Sequence, residues 1–109
     1  MRNTVKAHLV LDALGDPTRR TIFERLRHGS RCVGELAAGL PVTRPAVSQH
    51  LKVLKNAGLV VDRPRGRNRY YERSNRGLEA VMSYLDQFWD RAFRALQEAA
   101  ERAANKEDT

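Results

Sequence analysis

Residues 43–56, TRPAVSQHLKVLKN, constrain the fold more than any other stretch of the chain. Thr43 suits a helix N-cap, because its hydroxyl can accept from a backbone N–H of the first turn. Pro45 stands just inside that start, where a missing N–H costs nothing. Val47, Leu51 and Leu54 recur at i, i+4 and i+7, so one stripe faces a core. Ser48, Gln49, Lys52 and Asn56 fall broadly opposite, at about 100° per residue. A helix with such an outer face fits the floor of a DNA major groove. A solvated surface helix reads the same from this stretch alone, so the flanking sequence has to decide.

Charge is the first discriminator. The net charge of +7 is focused: residues 1–40 carry +3, residues 41–76 carry +7 and residues 77–109 carry −3. A focused basic region beside a polar-faced helix points to a polyanion partner. A membrane surface is the weaker reading, because the basic segment lacks an apolar face with Trp or Phe. No apolar run approaches the roughly 20 residues that a bilayer span needs. The first ten residues lack the apolar core and cleavage site of a signal peptide. The single Cys permits no internal disulfide. These features lead us to expect a cytoplasmic protein. A length of 109 residues predicts one domain, placed at 1–104, with 105–109 as a polar, frayed tail.

The sequence then supplies the motif around that helix. Residues 5–14 read as a first helix with Val5, Leu9 and Leu14 on one face, ending at Gly15 as a C′ residue. Asp16 and Pro17 open a second helix that buries Ile22, Phe23 and Leu26 and stops at Gly29. Arg19 and Arg20 lie in its first turn, where the helix dipole disfavours cations. That cost implies a second duty, on a phosphate or an acidic neighbour. A short third helix near 33–39 and the turn Leu40-Pro41-Val42 complete a helix-turn-helix. Gly58 caps the central helix, and Leu59 packs back on its end. Residues 59–64 and 69–74 are strands, with Val60, Val61, Tyr70 and Tyr71 as β-formers and one tyrosine facing inward. Arg65-Gly66-Arg67-Asn68 supplies the turn, with Gly66 and Asn68 tolerating positive φ. This hairpin is a wing. Its Arg65, Arg67 and Arg69 suit phosphates or a narrow minor groove.

From Arg76 to about 103 the sequence is helical. Leu78, Val81, Met82, Leu85, Phe88, Trp89, Ala92, Phe93 and Leu96 track one stripe. A helix of roughly 40 Å outruns a core built from the rest of the chain. Such a stripe predicts a homodimer, formed by this helix together with the first. Packing in that dimer is a better use of the three aromatic residues than lining a ligand pocket.

Several separate blocks now carry a resemblance. They are Ala13-Leu14-Gly15-Asp16-Pro17-Thr18-Arg19-Arg20, Val33-Gly34-Glu35-Leu36-Ala37, Arg44 through Leu54, and Ala57-Gly58-Leu59-Val60. Together they resemble the ArsR-type winged helix-turn-helix repressors over about residues 7–95. The resemblance implies a mainly α fold with a small β-hairpin, about five helices and dimerisation through the first and last. It implies a homodimer on a palindromic operator, with 43–56 as recognition helix and 59–74 as wing. Metal-sensing members carry a Cys-Val-Cys-Asp-Leu-Cys run where this chain has Cys32, Val33, Gly34, Glu35, Leu36 and Ala37. One thiol of three remains, and the last helix has no His for the other common site. The chain is therefore more similar to the metal-independent branch, and no metal or other cofactor is expected.

Arg44, Ser48 and Gln49 are the base-reading candidates, since Arg can pair with guanine and Gln with adenine through two hydrogen bonds. Thr43 and Lys52 suit phosphates. His50 lies about 60° from the core stripe and suits edge packing, with a phosphate as its other partner. Cys32 beside Arg31 is a candidate redox switch, with small-residue packing as the commoner role. No nucleophile–base pair, paired carboxylates or phosphate-binding glycine loop is present, so an enzyme is not expected. The competing reading is a nucleoid-type architectural DNA binder. It explains the basic middle third but gives the varied face of helix 43–56 no purpose.

Overall fold

The structure, a computed structural model, describes residues 6–107. Its elements run α1 (Ala7–Gly15), α2 (Pro17–Arg25), a 3-10 turn (Leu26–His28), β1 (Arg31–Cys32) and α3 (Val33–Ala37). They continue with α4 (Arg44–Asn56), β2 (Val60–Arg65), β3 (Asn68–Arg73) and α5 (Arg76–Glu107). The architecture is the expected winged helix-turn-helix, mainly helical with a hairpin. Val5, expected on the apolar face of α1, lies outside the described residues.

The core forms where α2, α3, α4 and the start of the wing converge on α1. Ile22, Leu36, Val47, Leu51, Leu54 and Leu59 are fully buried there. The buried face of α1 is Val10 and Ala13, with Leu14 packed beside them. Leu9, expected on that face, is instead exposed along with Leu11. With apolar residues at 9, 10, 11, 13 and 14, sequence periodicity does not select one face, and packing on α5, α2 and α4 does.

The corner between α1 and α2 corrects two further expectations. Gly15 is the last helical residue of α1 and has no positive φ; those glycines are 29, 39, 58 and 66. The carbonyls it was to cap are taken by the arginines of α2. Arg19 Nε donates to the Ala13 carbonyl at 2.8 Å and Nη2 to that of Asp12 at 3.3 Å, while Arg20 Nη1 reaches Leu14 at 3.2 Å. The second duty of these cations is therefore the C-terminus of α1, where orphan carbonyls and the helix dipole both favour positive charge.

A third strand joins the hairpin, in the order β1-β3-β2, all antiparallel. Arg31 pairs with Tyr71 and Cys32 with Tyr70, which ties the wing to the start of α3. Two residues are too few to show strand alternation, so β1 is invisible to pattern reading. β3 is also anchored to α2: Arg73 Nε donates to the Phe23 carbonyl at 3.0 Å, and its guanidinium lies 4.1 Å from the centroid of that ring. α3 ends at Ala37, two residues short of the expected 39, and Gly39 turns the chain at φ 78°.

α5 begins against the end of α4 and then leaves the body. Its 32 residues span about 48 Å at 1.5 Å per residue. The radius of gyration is 20.1 Å, against about 13 Å for a compact chain of this length. Leu78, Ala80 and Val81 pack on the core, while Met82, Leu85, Phe88, Trp89, Phe93 and Leu96 are exposed. Residues 105–107, expected in a frayed tail, are the last helical residues of α5. No helix among the described residues is long and apolar enough to cross a membrane.

Candidate nucleic-acid interface

The central helix is held at both ends by its own sequence. Thr43 caps it, with Oγ1 accepting from the Ala46 N–H at 3.2 Å. At the other end Gly58 adopts φ 74°. Leu59 N–H then reaches the Leu54 carbonyl at 2.9 Å and Gly58 N–H that of Lys55 at 3.0 Å. This pair of bonds is a Schellman closure, which stops α4 and turns the chain into β2. With Val47, Leu51 and Leu54 buried, the opposite face is fixed outward. Arg44, Ser48, Gln49 and Lys52 are all exposed on α4. The structure thus brings these sequence candidates together on one helix. Arg44 leans back across α3: a Cβ on Gly34 would lie 3.1 Å from its Nη2, so Gly34 leaves the space that the guanidinium fills.

His50 sits half-buried at the edge of this face, its Nδ1 3.5 Å from Arg19 Nη1. Arg19 is thus shared between the end of α1 and the middle of α4. The backbone N–H of Arg19 donates to Asp16 Oδ1, and this bond, the largest of several causes, holds the Asp16 carboxyl below its ordinary range.

The wing turns on Gly66 and Arg67. Gly66 adopts φ 64°, and no described residue other than glycine has positive φ, so Asn68 does not share that role. Glycine at the first central position is what a type II′ hairpin asks for. Arg67 is exposed at the tip. The Arg65 guanidinium lies 5.0 Å from the centroid of the Tyr70 ring, which steadies it at the wing's flank. Tyr71 packs toward the core as one of the two tyrosines was expected to.

Arg69 differs from the other two. Its Nε lies 2.7 Å from Asp62 Oδ2, while Lys55 Nζ lies 2.8 Å from Oδ1 of the same carboxylate. Hydrogen bonds from Lys55 and then Arg69 hold the Asp62 carboxyl below the ordinary range. Sequence reading missed this site. The only signal for it was an acid alone among cations in residues 59–69.

The depressed Asp62 carboxyl makes a stability prediction whose sign is fixed. A carboxylate favoured in its charged form by the fold stabilises the fold above its unfolded value, and that contribution disappears as pH falls through the folded value. Asp16 and Glu35 shift in the same direction, Glu35 mainly through the Cys32 N–H that it accepts at 3.0 Å. The melting temperature should therefore fall as pH drops below about 4. Asp62→Asn should melt lower at pH 7 and lose less on acidification. An equal acid-induced fall in both proteins would show that Asp62 is not a source of the pH dependence.

Cys32 is half-buried and forms the N-cap of α3, with Glu35 reaching back to its backbone N–H. Among the described residues no cluster of three His, Cys, Asp or Glu side chains could hold a metal ion.

Comparison with known proteins agrees with this geometry. Residues 16–61, from the N-cap of α2 into β2, match the family model described as bacterial regulatory protein, arsR family. The chain is 62% identical over 80 residues to the HTH-type transcriptional regulator Rv2034 of Mycobacterium tuberculosis, covering 73% of this chain and 75% of that one. It is 32% identical over 79 residues to the transcriptional repressor SdpR of Bacillus subtilis, covering 72% and 88%. Among solved structures, the ArsR-like transcriptional regulator from Rhodococcus sp. RHA1 superposes with a TM-score of 0.71 at 32% identity, over 86% of this chain and 92% of that one. The polar-faced helix, the arginine-tipped wing and these likenesses agree, and the chain belongs to the ArsR family of winged helix-turn-helix transcriptional regulators, which are not enzymes.

Proposed function

We propose that this protein is a homodimeric, metal-independent repressor that reads a palindromic operator in the cytoplasm. The observation that carries this reading is the outward face of α4, where Arg44, Ser48 and Gln49 stand exposed on a helix fixed at both ends. In this role Arg44, Ser48 and Gln49 read base edges, and Thr43, His50 and Lys52 set the register on phosphates. Arg65 and Arg67 hold the backbone beside the groove. Arg69 contributes by shaping the wing, because its Nε is engaged by Asp62.

The homodimer is supported by the stripe on α5. Met82, Leu85, Trp89, Ala92, Leu96, Ala99 and Ala103 alternate at spacings of three and four, the pattern of a helix seam. All of them are exposed in the single chain, and Leu11 of α1, also exposed, lines a cavity with Ala80, Tyr84 and Gln87 of α5. Metal independence is supported by the ligand set. The run that would supply three thiols has one, at a helix cap, and α5 has no His. Repression, as the direction of control, is supported by the likeness to a named repressor.

Two substitutions test the assignment of roles. Gln49→Ala should relax base preference at one operator position, by about 1–3 kcal/mol, with little change in salt dependence. Arg67→Ala should weaken binding to every duplex and make the salt slope shallower by about one unit. Uniform weakening by Gln49→Ala would contradict base reading by that side chain, and an unchanged slope for Arg67→Ala would contradict its phosphate contact. Loss of all preference for one sequence over random DNA in the unaltered protein would favour an architectural binder instead.

A further inference from the structure

Only two acids, Asp62 and Glu72, lie within the basic segment 41–76, among nine Lys and Arg residues. Both are ion-paired: Glu72 with Arg63, and Asp62 with two cations from different elements. Lys55 comes from the last turn of α4, and Arg69 from β3. The Asp62 side chain is only 8% exposed, whereas those of Lys55 and Arg69 are 52% and 55% exposed. A nearly buried carboxylate thus faces two half-exposed cations and gives each a separate oxygen. The pair is joined to the recognition helix on one side and to the wing on the other.

We infer that Asp62 is a specificity-determining residue, which withholds Lys55 and Arg69 from DNA phosphates and fixes the wing against the recognition helix. The inference rests on the reading of the protein as a sequence-specific DNA binder. Its physical basis is the origin of non-specific affinity. Each phosphate that a cation neutralises releases counterions and strengthens binding to any sequence equally. Specificity is the difference between binding the right and the wrong duplex, so cations that act on both alike do not increase it. Two long side chains beside the groove would be such cations if they were free. Held by Asp62 they contribute shape, because they tie α4 to β3 across β2. Releasing them adds sequence-blind affinity and loosens the wing at the same time.

The test is the salt dependence of binding to a random-sequence duplex of about three helical turns, alongside a preferred fragment selected from genomic DNA. Asp62→Asn should steepen the random-duplex slope by between about one and two units, since one or two cations become available. It should also lower the ratio of preferred to random binding. A role confined to stability would weaken binding without steepening the slope. Lys55→Met separates the two further, and its effect in the unaltered background does not depend on how well the Asp62 variant folds. In the unaltered background it should leave the slope unchanged, whereas in the Asp62→Asn background it should reverse about one unit. An unsteepened slope in folded Asp62→Asn, or a loss of about one unit by Lys55→Met alone, overturns the inference while leaving the DNA-binding reading intact. Absence of any preferred fragment for the unaltered protein overturns both.

Discussion

Replacing Gly77 by valine is expected to destabilise the protein by about 3 kcal/mol, the upper part of the range for overpacking a closed contact. A Cβ at this position would stand 2.7 Å from the Ala57 carbonyl oxygen and 3.1 Å from both the carbonyl carbon and oxygen of Gly58. These are backbone atoms of the Schellman closure, so no flexible side chain can move aside. Gly77 also donates its N–H to the Gly58 carbonyl at 2.8 Å, which fastens the first turn of α5 to the end of α4. Helix propensity opposes the effect, because alanine in a helix gains up to about 1 kcal/mol over glycine. The contact should outweigh that gain, so Gly77→Ala should also destabilise, by less than valine. At about 4–8 °C per kcal/mol for a small domain, the valine variant should melt more than about 10 °C lower. Its operator affinity should fall as well, since α5 leaves the body at a changed angle to the recognition helix. A melting temperature within a few degrees of the unaltered protein would show that this junction can open freely.

Replacing Trp89 by glutamate should separate assembly from folding. Trp89 is 56% exposed in the single chain and packs beside Phe93, with ring centroids 5.8 Å apart. Its loss removes little from the chain's own core, which lies around Leu51, Leu54 and Leu59. In the proposed dimer the same position is central to the seam, where a large aromatic contributes about 2 kcal/mol or more. A buried, unpaired carboxylate adds to the loss. Dimer dissociation should therefore become at least about a hundredfold more favourable, at a factor of ten for each 1.4 kcal/mol. Operator affinity should drop by a comparable or larger factor, because two linked half-sites become two independent weak contacts. Sedimentation should report a folded monomer with nearly unaltered helicity. A dimer of undiminished strength would remove the exposed face of α5 from the interface.

The parts of this structure that the sequence displays are those whose causes are local. Thr43, Pro45, the Val47–Leu51–Leu54 spacing and Gly58 each act within a few residues, so α4 and its outward face follow from them directly. The hairpin is equally local, since Gly66 turns it and its two strands, adjacent in sequence, pair with each other. What the sequence hides is what depends on a second element. Arg19 and Arg20 look misplaced when only their own helix is considered. They are well placed once the end of α1 lies beside them. The buried face of α1 is chosen by its neighbours and not by its nearly continuous apolar surface. Asp62 reads as an ordinary polar strand residue until Lys55 and Arg69, seven residues away on either side, fold onto it. The same folding gives Arg69 Nε a partner in Asp62 that its place among the wing cations does not reveal.

The most direct test of operator reading by α4 is selection of bound fragments from sheared genomic DNA near physiological salt, with and without a chelator. An operator-reading, metal-independent dimer predicts enrichment of one inverted repeat with half-sites about one helical turn apart, unchanged by the chelator. Diffuse recovery with no shared motif would contradict sequence-specific reading by α4. Loss of the motif on chelation would contradict metal independence.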